Sequence, residues 1–413
     1  MTRHFQTSPY NKPIMSKNSF PPIWLLVLIV GLPLLSETVY TPSLPDIAHA
    51  LHASEKWVEW TLTIYLMGFA VGTLGWGILS DKWGRKPCLL AGLTLYILGC
   101  VGCFYSPSIE VLMISRFVQA LGGSTGSVLG QTICRDAFKG PERGRVYSMI
   151  GGALSLAPAI GPLMGGFIAQ YLGWNSIFIV LSLCGFAVLL SAYVNLPETH
   201  PSLGAPRPSP FTTFVALMRD PRVLSYAVVI GTVNGIFFSF FAEGSFCLIE
   251  VLHLSPSVYG MTFILMALSG VTGSYISKKL QGKTPPLKIL EYGIVCTMLG
   301  SFAMAVLVFC GLFFNSSEMF FIVSILGPLC LIDVGMSILI PNALALALET
   351  YQSSIGTASS FFGFMYYALI SIFTFGMGVI HTGSLLPMPL YFLGLTLLMW
   401  IVFKKGILRE DKL

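Results

Sequence analysis

The sequence predicts an all-α membrane protein of twelve transmembrane helices, arranged as two six-helix bundles. Three observations carry this. First, 54% of the residues are hydrophobic and 10% charged, with a mean hydropathy of +0.78, whereas a soluble domain averages roughly 25% charged residues. Second, twelve apolar runs reach the length of about 20 residues that a bilayer core requires. They fall near 22–44, 58–80, 88–106, 109–134, 145–171, 175–196, 223–249, 257–277, 288–313, 319–347, 354–380 and 385–403. Third, the cations are sided. Lipid leaves backbone polar groups no partner outside the segment, so the runs are helices. Strands of about 10 residues with alternating polarity, the mark of a membrane barrel, do not occur.

With both termini placed in the cytoplasm, 21 of the 23 Lys and Arg residues fall in cytoplasmic segments, as the positive-inside rule requires. They lie in the tail 1–21, in loops around Lys82–Lys86, Arg135–Arg145, Arg207–Arg222 and Lys278–Lys288, and in the tail 404–413. Lys56 faces outside and Arg116 lies within a span. The net charge of +5 reflects this sidedness and points to no nucleic-acid partner. The N-terminal apolar run has no small-residue cleavage site after it and is long enough to span, so it reads as a retained first helix. The nine cysteines fall almost entirely within apolar runs, which argues against a disulfide framework. The Cys100-x-x-Cys103 pair reads as helix packing.

The connection 197–221 is the longest and carries six prolines with an amphipathic piece, FTTFVALMRD. Proline resists helix continuation, so this linker divides an N-terminal bundle, 22–196, from a C-terminal bundle, 223–403. The amphipathic piece suits either the membrane interface or packing on the inner protein surface. A faint repeat supports the division: Gly72 and Gly75 precede Ser80-Asp81-Lys82, as Gly270 and Gly273 precede Ser277-Lys278-Lys279. Paired halves around a central site are a recurrent transporter plan.

Charged residues inside apolar runs are the candidate functional groups, because a charge at the centre of a membrane helix costs about 2.5–3.5 kcal/mol. Glu37 in span one and Arg116 in span four reach similar depths, about 22 Å from the inner end and about 10 Å from the outer end at 1.5 Å per residue. They are expected to face one cavity, with Glu37 titrating and Arg116 competing for it. Asp333 in span ten and Glu243 in span seven are expected to bind a cationic substrate or a second proton, or to be satisfied structurally. Arg116, Gln119, Gly123, Gly126 and Gly130 share one face of span four. His253 and His381 fall in outer loops and read as exposed. Tyr40, Tyr65, Phe237, Phe238, Phe241, Phe361, Tyr366 and Tyr367 are candidate aromatic walls for a ligand, with Gln119 and Glu243 as candidate polar contacts.

Between spans two and three stands Gly77-Ile-Leu-Ser-Asp-Lys-Trp-Gly-Arg-Lys86. Gly77 permits close helix approach, Asp81 ends an apolar helix beside cations, and Gly84 permits a tight turn. With twelve spans, these residues resemble the loop 2–3 signature of the major facilitator superfamily, with Gly77, Asp81, Gly84, Arg85 and Lys86 in register. The resemblance implies that the constellation clamps the two halves on the cytoplasmic side, with Arg135 and Asp136 as partners. Arg116 and Gln119 resemble the family's span-four R-x-x-Q-G, with Ala120 in place of Gly. Gly161, Pro162, Gly165 and Gly166 resemble the antiporter motif of its drug exporters, with Ser148 and Ala157 where upstream glycines stand. ETVYTPSLPDIA, from Glu37, is similar to the start of the bicyclomycin/chloramphenicol-resistance branch, the acid standing one residue earlier than usual.

The resemblance implies a proton-coupled antiporter exporting small amphipathic drugs or toxic compounds across the bacterial inner membrane. The alternatives are export of an endogenous metabolite or siderophore, or proton-coupled metabolite import on the same fold. The expected partners are the small-molecule substrate, protons and membrane lipid, with a monomeric chain. No cofactor or metal is expected. The sequence has no G-x-x-x-x-G-K-[ST] for ATP and no H-E-x-x-H for an intramembrane metalloenzyme.

Overall fold

The structure, a computed structural model, describes residues 20–200 and 210–408. The first 19 residues, residues 201–209 of the linker and residues 409–413 lie outside the described residues, and with them Arg3, Lys12, Lys17, Arg207, Arg409 and Lys412. The twelve long helices are α1 Ile23–Thr38, α2 Glu55–Trp83, α3 Arg85–Phe104, α4 Ile109–Ala137, α5 Gly140–Leu172 and α6 Ser176–Asn195, then α7 Pro221–Ser245, α8 Pro256–Leu280, α9 Pro286–Phe313, α10 Glu318–Ala347, α11 Ile355–Ile380 and α12 Pro387–Val402. No strand occurs among the described residues.

Local chemistry sets the helix starts. Proline stands at the first helical position of α7, α8, α9 and α12, where its missing N–H costs nothing. Asp220 caps α7 by accepting from the backbone N–H groups of Arg222 and Val223, and Ser255 caps α8. The first apolar run breaks where Pro42 and Pro45 fall: α1 stops at Thr38, and a single turn at Thr41–Ser43 leads into a short helix, Leu44–Ala50.

Among the described residues, eleven helices are long and apolar enough to cross a membrane by length and composition. α4 is as long as α2, at 29 residues, but is too polar to join them. The reason is its surroundings. α4 packs on α1, α2 and α3, and Arg116, Gln119, Ser124 and Thr125 are buried against them. Its polar face meets protein, so hydropathy understates it.

Each half has its own contacts: α3 with α4 and α6, and α1 with α4 and α5, in the first; α9 with α10 and α12, and α7 with α11 and α12, in the second. The faint repeat has a structural counterpart. Gly72 of α2 faces Leu121 and Ser124 of α4, while Gly270 and Gly273 of α8 face Asp333, Val334 and Ser337 of α10. The halves meet along two seams, α2 on α11 and α5 on α8. The amphipathic piece forms the helix Pro210–Arg219 and lies on protein, with Leu217 fully buried and the Phe214 ring tilted against that of Phe361 at 4.9 Å.

Candidate functional site: buried charges between two lobes

Arg116 is 0% exposed. Its guanidinium lies between two rings, 3.9 Å from the centre of Tyr40 and 4.0 Å from that of Tyr65, the geometry in which a desolvated cation gains most from aromatic faces. Nη1 donates to Gln119 Oε1 at 2.6 Å and to the Ser36 carbonyl at 3.4 Å, while Nε and Nη2 have no hydrogen-bond partner. Gln119 is itself held from the other side, donating through Nε2 to Cys100 Sγ at 3.1 Å. The C-x-x-C pair thus does more than fill space: Cys100 orients the amide that holds Arg116.

Glu37 follows Ser36 directly, is 1% exposed, and leaves Oε1 without a hydrogen-bond partner. Among the described residues no ion pair joins it to Arg116. The two charges that sequence reasoning placed at one depth are therefore brought into one buried region of α1 and α4 without neutralising each other directly.

From Arg116 an aromatic path crosses to the second lobe. Tyr65 stacks on Phe69 at 6.4 Å, Phe69 meets Tyr367 of α11 at 4.5 Å, and Tyr367 meets Tyr366 at 5.0 Å. Phe69 carried no motif and went unnoticed in the sequence. The other candidates stand elsewhere. Phe361 packs on Phe214 beneath α11, Phe237 packs on Phe241 within α7, and Asp333 accepts from Ser269 Oγ of α8 at 3.1 Å inside the second lobe.

At the basic end of the molecule, Arg85 is the hub. It is 3% exposed and holds Asp81 at 2.8 Å, Asp136 at 3.1 Å and Ser80 Oγ at 2.7 Å, while Arg135 reaches Asp136 at 3.6 Å. Gly84 turns the chain at φ +97°, and a Cβ there would meet Glu198 Oε2 at 2.6 Å. Glu198, which sequence reasoning missed, accepts from the N–H groups of Arg85 and Lys86 at 3.0 and 3.1 Å, capping the start of α3. These ion pairs all lie within the first lobe. One lobe crossing here is at Gly77, whose missing side chain admits Ser360 of α11.

The glycines of the span-five motif are likewise contact points. A Cβ at Gly161 or Gly165 would strike Thr38 or the Val39 carbonyl of the α1 end, and one at Gly166 would strike the Pro256 carbonyl of α8. Pro162 returns the contact, its carbonyl lying against Gly260. Gly166 and Gly260 let α5 and α8 touch backbone to backbone, which small residues permit in membrane helices.

At the end opposite the basic cluster the structure corrects one expectation. His381 is not exposed: its side chain is 9% accessible and pairs with Glu55, with Glu59 at 3.2 Å and with Glu243 at 2.7 Å. Glu243 thus stands apart from Arg116 and Glu37, in a second buried cluster. Glu59 sits in α2 one turn after Glu55, an i, i+4 pair at the edge of an apolar run, and that spacing was the signal available. Burial opposes charge on His381, but the carboxylates of Glu243 and Glu59 outweigh it and raise its pKa to about 11.

The family model described as Major Facilitator Superfamily matches residues 26–375. An uncharacterized transporter of Rickettsia bellii (strain RML369-C) is 35% identical over 91% of this chain and 94% of that protein. A bicyclomycin resistance protein homolog of Haemophilus influenzae is 28% identical over 86% of this chain and 88% of that protein. The crystal structure of a D-xylose-proton symporter superposes with a TM-score of 0.73 at 14% identity, covering 93% of this chain and 98% of that one, which speaks for the fold alone. The family model and the Rickettsia bellii relative establish that this chain, with its two-lobed helical fold, belongs to the major facilitator superfamily, a family of membrane transporters.

Proposed function

We propose that this protein is a proton-coupled exporter of small amphipathic compounds in the bacterial inner membrane, with the basic Asp81 end and both termini in the cytoplasm, acting as a monomer without a cofactor. The observation that carries the reading is the pairing of a buried, incompletely hydrogen-bonded Glu37 with a fully buried Arg116 that has two unpartnered N–H positions. Burying an unpaired carboxylate in apolar surroundings is costly, so Glu37 rests there as the neutral acid. On losing its proton it becomes an anion that the free Nε and Nη2 of Arg116 can meet. Proton occupancy of Glu37 then decides what Arg116 binds, and Arg116 in turn sets the position of Tyr40 and Tyr65.

The path Tyr65–Phe69–Tyr367–Tyr366 supplies the aromatic wall that amphipathic compounds need, and it spans both lobes, so a ligand there touches the surfaces that move apart. Asp333 with Ser269 serves as an accessory polar group of the second lobe. The backbone contacts at Gly166 and Gly260 provide the surface on which the lobes rock, with the Asp81–Arg85–Asp136 network holding the cytoplasmic end of the first lobe rigid. The resemblance of ETVYTPSLPDIA to the resistance branch, and the printed name of the Haemophilus influenzae relative, favour drugs over nutrients.

The test is reconstitution into liposomes under an imposed pH gradient with fluorescent cationic, neutral and zwitterionic amphiphiles. The account expects movement of at least one class against the direction of proton flow. Movement with the protons would convert the reading to import.

A further inference from the structure

The second buried cluster is not used by this mechanism, and its composition is unusual. Glu59 of α2 and Glu243 of α7 are 0% and 1% exposed. One oxygen of each, with a ring nitrogen of His381 from the α11–α12 loop, lies within 4.8 Å of the others. The cluster joins the lobes, since α2 belongs to the first and α7 and His381 to the second. Gly378 of α11 lets the backbone close over it, a Cβ there meeting Glu59 Oε2 at 3.0 Å and Trp60 Nε1 at 2.9 Å, and Ser371 ties α11 to the Thr63 carbonyl at 2.9 Å.

Charge counting shows what is missing. With His381 as an imidazolium and both carboxylates ionised, the buried trio carries a net charge of −1. The other facing groups do not cancel it. Glu55, on the far side of the ring, is itself acidic and 37% accessible. Cys247 Sγ donates to Glu243 Oε1 at 3.7 Å and brings no charge. Lys56 lies over the Trp60 ring at 5.0 Å, and His49 pairs with Glu250 at 3.1 Å. Neither oxygen of Glu59 has a hydrogen-bond partner of good geometry. Two buried carboxylates at one site cannot both stay ionised cheaply, and a single added proton makes the trio neutral and supplies the missing O–H donor. A route for it is present: a cavity of about 400 Å³ lined by His49, Glu55, Lys56, Glu250 and His381 leads from the exposed surface to the ring.

We infer that Glu59, Glu243 and His381 form a proton-binding latch between the lobes at the extracytoplasmic end, which takes up one proton from outside when that end closes and gives it back when it opens. On closure one carboxylate of the Glu59–Glu243 pair becomes the acid and donates to the other. On opening both face water and the proton returns to it. The placement of this end outside rests on the orientation proposed above, but the latch does not depend on drug export.

Pulsed electron-spin measurement tests it on the full chain in nanodiscs, without substrate. Nitroxides are attached through ketone-bearing residues at Pro107 and Phe314, in the α3–α4 and α9–α10 loops, so the native cysteines remain. One linked proton predicts a closed-to-open ratio that falls by up to about tenfold per pH unit as pH rises between 5 and 9. Glu59→Gln with Glu243→Gln, which carries neutral groups permanently, should stay closed with no pH slope. If the double variant does not elute as a folded monodisperse species, each single variant carries the same test. An unchanged slope in the variants, or a distance indifferent to pH, overturns the latch. So does closure that responds to zinc ion or to a chelator and not to pH, which would make the trio a divalent-metal site.

Discussion

The two ends of the molecule are built from the same residue types and arranged in opposite ways. At the basic end, Arg85 and Arg135 meet Asp81 and Asp136, these four charges balance, their three ion pairs join residues of the first lobe, and Glu198 caps the helix that follows. At the other end His381 faces Glu55, Glu59 and Glu243, acids outnumber the cation, and the contacts run from lobe to lobe. A balanced network inside one body is framework. An unbalanced one between two bodies responds to protons. Net charge and the bodies that the charges join separate the two roles better than the presence of a motif does.

Arg85→Ala should break this contrast most severely. It leaves Asp136, 10% accessible, without its principal partner, and loss of one member of a buried pair costs about 3–5 kcal/mol. Thermal unfolding in detergent should show the first lobe destabilised, and retention of wild-type stability would show that the network is ornamental. Gly166→Val comes next. Its branched side chain would strike the Pro256 carbonyl, and overpacking of this kind costs about 1–3 kcal/mol. The prediction is a shift toward the state open at the Glu59 end, read as a longer distance across that end.

Asp81→Asn has a smaller cost in stability, about 1 kcal/mol or less, since Asp81 is 31% accessible and Arg85 keeps Asp136 and Ser80. Folded protein should remain in the membrane with transport reduced several-fold, and normal transport would show that Asp81 takes no part in the cycle. A dependence on pH sharpens the other end. His381 is raised from 6.5 to about 11, so its protonated form is favoured by the fold. Its stabilisation is complete below about pH 6.5 and is lost as pH climbs through 11. Melting temperature should therefore decline steadily from pH 7 to 10, and His381→Gln should flatten that decline.

The helices were legible because lipid enforces them. Twelve apolar runs could only be helices, and α4 was recovered in spite of Arg116 because a single charge does not erase 29 residues of helix. Glu37, Arg116 and Gln119 were legible because a charge inside an apolar run is anomalous wherever it points. The outer cluster was not, for two physical reasons. Glu59 stands at a span edge, where hydropathy expects acids, and His381 sits in a loop, where histidine is unremarkable. Their significance comes from lobe closure, which brings together residues 59, 243 and 381, and no local spacing encodes that. Glu198 and Phe69 were hidden likewise, since each matters only through a partner distant in sequence.

The central claim is that a proton on Glu37, beside Arg116, drives the transport cycle. Its most direct test is proton flux in liposomes, recorded by an internal pH indicator when a transported amphiphile is added to wild type and to Glu37→Gln. The account predicts substrate-induced proton movement in the wild type and none in the variant, with the variant still binding the amphiphile. Substrate-induced proton flux of wild-type size in Glu37→Gln would contradict it.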